Sequence, residues 1–418
     1  MAFNFGALAD VGFVVFIFAL GFVLISTSID SLAKRKLRHK PFVSFVMPSY
    51  NDAHTIREAV ESVFDSYDKK HFELIIVNDN SSDNTREILN ELRKKYLIKV
   101  INNKKNLGKA KSVNKAFRFS KGEIIFIIDS DMRITKNAVF DVLSRLENKK
   151  VGGASCRYVP MNKGFWAEMQ RVEYGMLTLL QRSYNPYSTL AFWGGCMAIK
   201  RKVFEKVGFL SERCIIEDAD LALKIGEAGW KAQESKIHVY SYVPSSVVDW
   251  FKQRMRWAAG GAQNIVNHFK FFATHPLVIF FFIAYSLLSI SFVASLINNF
   301  AFIKNLYALF DSFRDAGYSF TTSFGLAKAG HGYQFLKMLG LYMLFPLFSV
   351  PYIFANYPVK KKPYALLLIF PFSIIYLPIL TVVSLVGIII GLYKVIFLGQ
   401  RRVGWRGEGS GLKLTKRV

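Results

Sequence analysis

Residues 11–25 are an almost unbroken apolar run (VGFVVFIFALGFVLI), and comparable runs return only at 276–297, 335–354 and 364–398. No other feature constrains the chain more, because about 20 apolar residues in a row is what a helix needs to cross a bilayer. The stretch between, residues 41–247, reads instead as a water-soluble domain. The first run is followed by the basic segment KRKLRHK at 34–40, and residues 1–10 hold no Lys or Arg. A cleaved signal peptide has the opposite charge order, so an uncleaved spanning helix with its C-terminal end in the cytoplasm is expected.

The run at 364–398 is about twice the length of one span, and Pro371 and Pro378 are read as breaking it into a hairpin. Lys360, Lys361 and Lys362 mark one cytoplasmic turn; Arg401, Arg402, Arg406, Lys413, Lys416 and Arg417 mark another. A single span between them would leave one basic cluster outside. Five helices follow, one before the soluble domain and four after it. The expected organisation is 1–40 (first span and basic linker), 41–248 (soluble domain), 249–275 (interface helix), 276–398 (about four spans) and 399–418 (basic tail). Residues 301–334 form the one sizeable outside segment, and no role is assigned to it. The chain is thus expected to be a multi-pass plasma-membrane protein with its soluble domain in the cytoplasm.

The formal charge of +25 comes from 55 Lys+Arg against 30 Asp+Glu. Much of it is explained by topology. No basic, aromatic-interleaved face of the kind that binds nucleic acid is present, so no nucleic-acid partner is expected. Three Cys are too few for a disulfide scaffold.

Within 41–247, short β-type runs (FVSFVM, ELIIVND, EIIFIID) alternate with amphipathic stretches such as TIREAVESVFDS. That alternation predicts an α/β domain with a mostly parallel sheet. The three runs end at or just before Asp52, Asp79 and Asp129-Ser130-Asp131, the edge where open α/β sheets bind ligands. An Asp at a strand end can simply cap the next helix, but three in a row are less easily explained so. Asp129 and Asp131 flank a turn that can aim both carboxylates at one hard divalent cation.

Gly108 allows close backbone approach, and Lys109 and Lys111 can meet phosphate or carboxylate. Gly194-Gly195 sits where a strand would leave room for a ligand or another backbone. Glu217-Asp218 precedes an amphipathic helix, where Asp218 serves either as its cap or as a base. Gln253, Arg256 and Trp257 share a helical face; Arg suits phosphate oxygens and Trp offers a flat surface to a sugar ring. A membrane-interface helix would carry the same residues as anchors.

The ordered set Asp52, Asp79, Asp129-x-Asp131, Glu217-Asp218 and Gln253-x-x-Arg256-Trp257 resembles the membrane-bound family-two inverting glycosyltransferases, which include cellulose, hyaluronan, chitin, poly-N-acetylglucosamine and mannan synthases. The resemblance covers residues 41–261 and the layout of flanking helices. It implies a GT-A (Rossmann-like) catalytic domain inserted between transmembrane helices, a nucleotide-diphosphate sugar donor, a glycan or lipid acceptor, and Mg²⁺ or Mn²⁺. It places Pro48, Tyr50, Asp52, Asp79 and Lys109 on the donor nucleotide, and Asp129 and Asp131 on the sugar-phosphate and metal. Asp218 becomes the catalytic base, Gln253 and Arg256 contact the diphosphate, and Gly194, Gly195, Cys196, Glu217 and Trp257 face the acceptor. Residues 162–185 look like a helix such enzymes lay on the membrane. The family's usual Thr before Glu-Asp is Ile216 here, and no gating-loop signature follows.

The activity implied is sugar transfer to a growing β-linked polysaccharide, with single addition to a polyprenyl phosphate or glycolipid as the alternative. A channel or transporter with a nucleotide-sensing domain would instead place ionisable residues inside its spans; Lys337 and Lys394 fall near the ends.

Overall fold

The structure, a computed structural model, describes residues 5–33, 35–274 and 346–398, with positions 314, 340, 343 and 344 between them. The expected span at 276–297, residues 335–339, 341, 342 and 345 of the span at 335–354, all of 301–334 but Arg314, and the basic tail lie outside the described residues. The chain packs as two compact units, one of Met1–Phe22 with Phe272–Val382, the other of Val23–Phe271 with Val383–Val418.

The second unit is built on an eight-stranded sheet. Its strands are β1 (Val43–Ser49), β2 (Phe72–Asn78), β3 (Ile98–Asn102), β4 (Ile124–Ile128), β5 (Met132–Arg133), β6 (Val151–Pro160), β7 (Cys196–Lys200) and β8 (Lys231–Ser241), in spatial order β3-β2-β1-β4-β7-β6-β8-β5. β1, β2 and β4 are buried almost throughout because helices cover both faces, which is why they read as continuous apolar runs. Alternate residues serve opposite faces. Phe45 and Met47 join the core under α2 (Ile56–Ser66), α3 (Thr85–Lys95), α5 (Lys136–Leu146) and α6 (Phe165–Ser183). Val46 packs under α4 (Lys109–Phe117), α7 (Arg201–Lys206) and α8 (Glu217–Glu227).

The half β3-β2-β1-β4 is parallel, but β7 runs antiparallel to both β4 and β6, and β5 antiparallel to β8. β6 pairs parallel with β8, so six of the eight strands run the same way and only β7 and β5 oppose them; the sheet is mostly parallel, as expected, with two antiparallel strands. An apolar run records that a strand is buried; its direction depends on which end the connection re-enters, and that is not in the run.

α6 is largely buried against β6 and β8, with Phe165 at its start exposed. One face of this helix packs on the sheet, Ala167 and Tyr174 joining the core, while Phe165, Trp166, Glu168, Arg171, Leu177, Leu180 and Gln181 remain exposed or half-buried. The end of α1 (Phe5–Leu32) is also tied into the domain. Asp30, 3% exposed, accepts hydrogen bonds from Arg182 Nη2 at 2.7 Å, Arg35 Nη2 at 2.6 Å and Arg145 Nη1 at 3.4 Å. A carboxylate is buried at such cost only when paired, so this cluster fixes the helix end against α5 and α6.

After α9 (Val247–Asn267) and α10 (Phe269–Ala273), the described chain resumes with α11 (Val350–Phe354), α12 (Lys362–Pro371) and α13 (Leu377–Ile396). The expected hairpin at 364–398 is not formed. Val359–Ile396 is one uninterrupted helical stretch of 38 residues, long and apolar enough to cross a membrane. A π-helical turn, Phe372–Tyr376, lies between Pro371 and Pro378 and absorbs both without a break.

Candidate active site

Strand order reverses between β1 and β4, and in such sheets the crevice beyond the strand C-termini is the ligand site. Asp52 follows β1 there. Its Oδ2 accepts from the Tyr50 backbone N–H at 2.8 Å, from Ser49 Oγ at 3.0 Å and from Ser130 Oγ, so it stitches the β1 turn to the β4 turn. Asn51 holds φ at 58°, uncommon for a residue with a side chain. Pro48 is buried inside β1 and Tyr50 is half-buried beyond it.

Asp79, expected to face a ligand, accepts three hydrogen bonds within the protein. The donors are Asn103 Nδ2 at 2.6 Å and the backbone N–H groups of Leu107 and Gly108 at 2.9 and 2.8 Å. Gly108 has φ +85°, which only glycine adopts readily, and Lys109 begins α4 immediately after it. Asp79 therefore shapes the loop that aims Lys109.

Lys109 does not stand with Asp52 and Asp79. Its Nζ lies 2.7 Å from Asp129 Oδ1, 3.1 Å from the Gly194 carbonyl and 3.9 Å from Glu217 Oε1. Burial works against the ammonium, yet Asp129 and Glu217 outweigh it and hold its pKa above the ordinary value. Asp131 is the uncompensated member of the cluster. Its Oδ1 is buried without a hydrogen-bond partner, and burial, with the charges of Asp129 and Asp52, pushes the carboxyl up to about 7. An orphaned hard oxygen in excess negative charge fits a divalent cation. No group of three ligating side chains occurs among the described residues, so such a cation would draw its remaining ligands from water and phosphate, as Mg²⁺ commonly does.

Asp218 occupies the first turn of α8, where its Oδ1 accepts the Ala219 N–H at 2.8 Å. Burial, then the neighbouring Glu217, raises its pKa to about 6. The glycine pair explains itself here. A Cβ on Gly194 would stand 2.8 Å from Asp218 Cγ, and one on Gly195 would meet Tyr158 Oη at 2.8 Å and Asp129 Oδ2 at 3.0 Å. The room the glycines leave is where the side chains of Asp218, Asp129 and Tyr158 approach. Cys196, expected on the acceptor side, is fully buried at the start of β7 and belongs to the core.

α9 closes the site. The charge of Arg256 is felt at both Asp129 and Asp218. Trp257 is held by a residue that sequence reasoning passed over: the Arg254 guanidinium lies 4.3 Å from its ring centroid. Arg254 is in turn fixed by Glu173 of α6, with Nε–Oε1 at 2.9 Å and Nη2–Oε2 at 2.5 Å, and it donates to the Gln253 side-chain oxygen. Gln253 thus has a partner inside the protein. The spacing of Arg254 three residues before Trp257 was visible, but the Glu173 partner lies too far along the chain to be inferred.

Residues 44–208 match the family described as Glycosyl transferase family 2. The chain is 29% identical over 301 residues to "Probable glycosyltransferase YdaM" of Bacillus subtilis, covering 66% of this chain and 69% of that protein. It is 27% identical over 243 residues to the poly-beta-1,6-N-acetyl-D-glucosamine synthase of Staphylococcus epidermidis, covering 57% of this chain and 59% of the relative. The match thus spans little more than half of that synthase. Among solved structures, a mannosyltransferase from Pyrobaculum calidifontis in complex with GDP-Man and Mn²⁺ has the same fold, with TM-score 0.53, 20% identity, and 85% of this chain and 99% of that one covered.

Proposed function

Residues 44–208 being a glycosyltransferase family 2 domain of GT-A type, we propose that this chain is a membrane-embedded inverting enzyme that transfers a sugar from a nucleotide-diphosphate sugar to a growing β-linked polysaccharide. The observation that carries the reading is the pairing of two kinds of group in one crevice. Asp218, with a pKa of about 6, is a carboxylate suited to act as a base near neutral pH. Beside it, Lys109 and Arg256 supply fixed positive charge and Asp131 an unpaired oxygen. The similarity to a polysaccharide synthase supports a polymer product. The apolar helical stretch Val359–Ile396 and the basic segment after α1 support a plasma-membrane setting with the catalytic domain cytoplasmic.

The donor's nucleotide lies in the crevice beyond β1 and β2, whose walls Asp52 and Asp79 organise. Asp218 takes the proton of the acceptor hydroxyl as that oxygen attacks the anomeric carbon from the face opposite the diphosphate. Arg256 and Lys109 meet the charge that develops on the departing diphosphate. Asp131, with Asp129, would hold a divalent cation, which when bound neutralises phosphate charge. A single displacement turns an α-linked donor into a β-glycoside. Trp257, braced by Arg254, forms the acceptor platform.

Purified enzyme incubated with a panel of nucleotide sugars and Mn²⁺ or Mg²⁺ is expected to release one nucleoside diphosphate and build a labelled product of high molecular mass. A product one sugar larger than a lipid acceptor would move the reading to glycolipid synthesis, and no release from any donor would refute transfer. Trp257→Ala is expected to lower acceptor-dependent transfer about 10-fold or more, on the scale of one stacking contact, with little change in donor hydrolysis. Unchanged acceptor kinetics would remove the platform role.

A further inference from the structure

Beyond Trp257, α9 is packed tightly on both sides. On one side lies α13. A Cβ on Gly387 would stand 2.7 Å from Ala258 Cβ and 3.0 Å from the Met255 carbonyl. One on Gly391, a turn later, would stand 2.6 Å from the Ala259 carbonyl oxygen and 2.8 Å from its Cα. Two helix backbones approach this closely only over small residues. On the other side, a Cβ on Gly260 would be 2.7 Å from Ile216 Cγ1 and 3.2 Å from Ile215 Cβ.

Ile215 and Ile216 end the segment that delivers Glu217-Asp218, and α9 grips that segment by hydrogen bonds. Gln263 Oε1 accepts the Ile215 N–H at 2.8 Å, its Nε2 donates to the Arg213 carbonyl at 3.3 Å, and Asn264 Nδ2 donates to the Ile216 carbonyl at 3.2 Å. Gln263 and Asn264 are 0% and 2% exposed. The helical stretch ending in α13 has 38 residues, roughly 57 Å at 1.5 Å per residue, against about 30 Å of hydrocarbon core. It has length to spare for contact with the catalytic domain.

We propose that Gly387 and Gly391 are positioning residues for transfer: by fixing how closely α13 backs α9, they set the depth of α9 against residues 213–216, and so the placement of Asp218 relative to Trp257. The proposal rests on the glycosyltransferase reading and adds to it a role for the C-terminal helix. A wider separation would displace α9 and the base together, and a displacement of about 1 Å at a reacting group can cost up to 100-fold in rate.

The test uses the full-length protein in lipid nanodiscs. Gly391→Val is expected to lower kcat for transfer about 10- to 100-fold while nucleotide-sugar affinity stays within a factor of two. Gly387→Ala is expected to lower kcat less, and adding Ala258→Gly, which removes the Cβ it collides with, to restore much of the loss. Unchanged kcat in Gly391→Val, or donor affinity and thermal stability falling in step with kcat and no rescue by Ala258→Gly, would overturn the positioning role. Separately from activity, the pair Ala258→Cys with Gly387→Cys should cross-link under mild oxidation; absence of the cross-link would overturn the contact itself. A cross-link in the doubly substituted protein, together with unsubstituted enzyme that releases no nucleoside diphosphate from any donor, would refute the transfer reading and leave the contact standing.

Discussion

Asp218→Asn is expected to reduce sugar transfer by about 10²–10⁴-fold, the usual worth of general-base catalysis, while nucleotide-sugar affinity is retained. The substitution keeps the side chain's shape at the start of α8 and its capacity to accept the Ala219 N–H, so it removes proton acceptance and little else. The pH profile separates this role from a structural one. Asp218 acts as a base only when ionised, and burial with the Glu217 charge places its pKa at about 6. kcat/KM should therefore fall as pH drops through about 6 and level off above it. The Asn variant should lack that acid limb. An equal loss of donor affinity, measured by calorimetry, would assign Asp218 to binding and refute its role as base.

The second large effect is expected at Asp131. Asp131→Asn should lower turnover by about 100-fold or more, equivalent to roughly 2.7 kcal/mol at 1.36 kcal/mol per tenfold. It should also abolish the tightening of nucleoside diphosphate binding by Mn²⁺. Asp131 is a cleaner target than Asp129, since Asp129 pairs with the Lys109 ammonium at 2.7 Å and its loss would take away that cation's nearest counter-charge. Asp131 has no such partner at Oδ1, so the Asn variant should fold with undiminished thermal stability. Mn²⁺ dependence identical to wild type would mean that the cation, if used, is held elsewhere.

β1, β2 and β4 were legible because each is a short apolar run ended by an Asp, and this located the crevice as well. β3 was not read as a strand: it lies at the sheet edge and is partly exposed, so its apolar pattern is weak. The antiparallel entry of β7 could not be read either, for direction is set by connections and not by the strand's own residues. The roles of single side chains were least legible where their partners are distant in sequence. Asp79 pairs with a loop almost 30 residues on, Arg254 with Glu173, and Asp30 with Arg145 and Arg182. The two glycines at 194–195 were singled out as leaving room for a ligand or another backbone; the side chains that meet them, Asp218 and Asp129, depended on the fold.

The configuration of the first linkage formed bears most directly on how these residues work together. Wild-type enzyme should be given an α-linked nucleotide sugar and the anomeric configuration of the linkage in its early product read by proton NMR. A β-linkage is expected from one displacement with Asp218 as base. An α-linkage would mean net retention, and would contradict the single-step transfer assigned to this crevice.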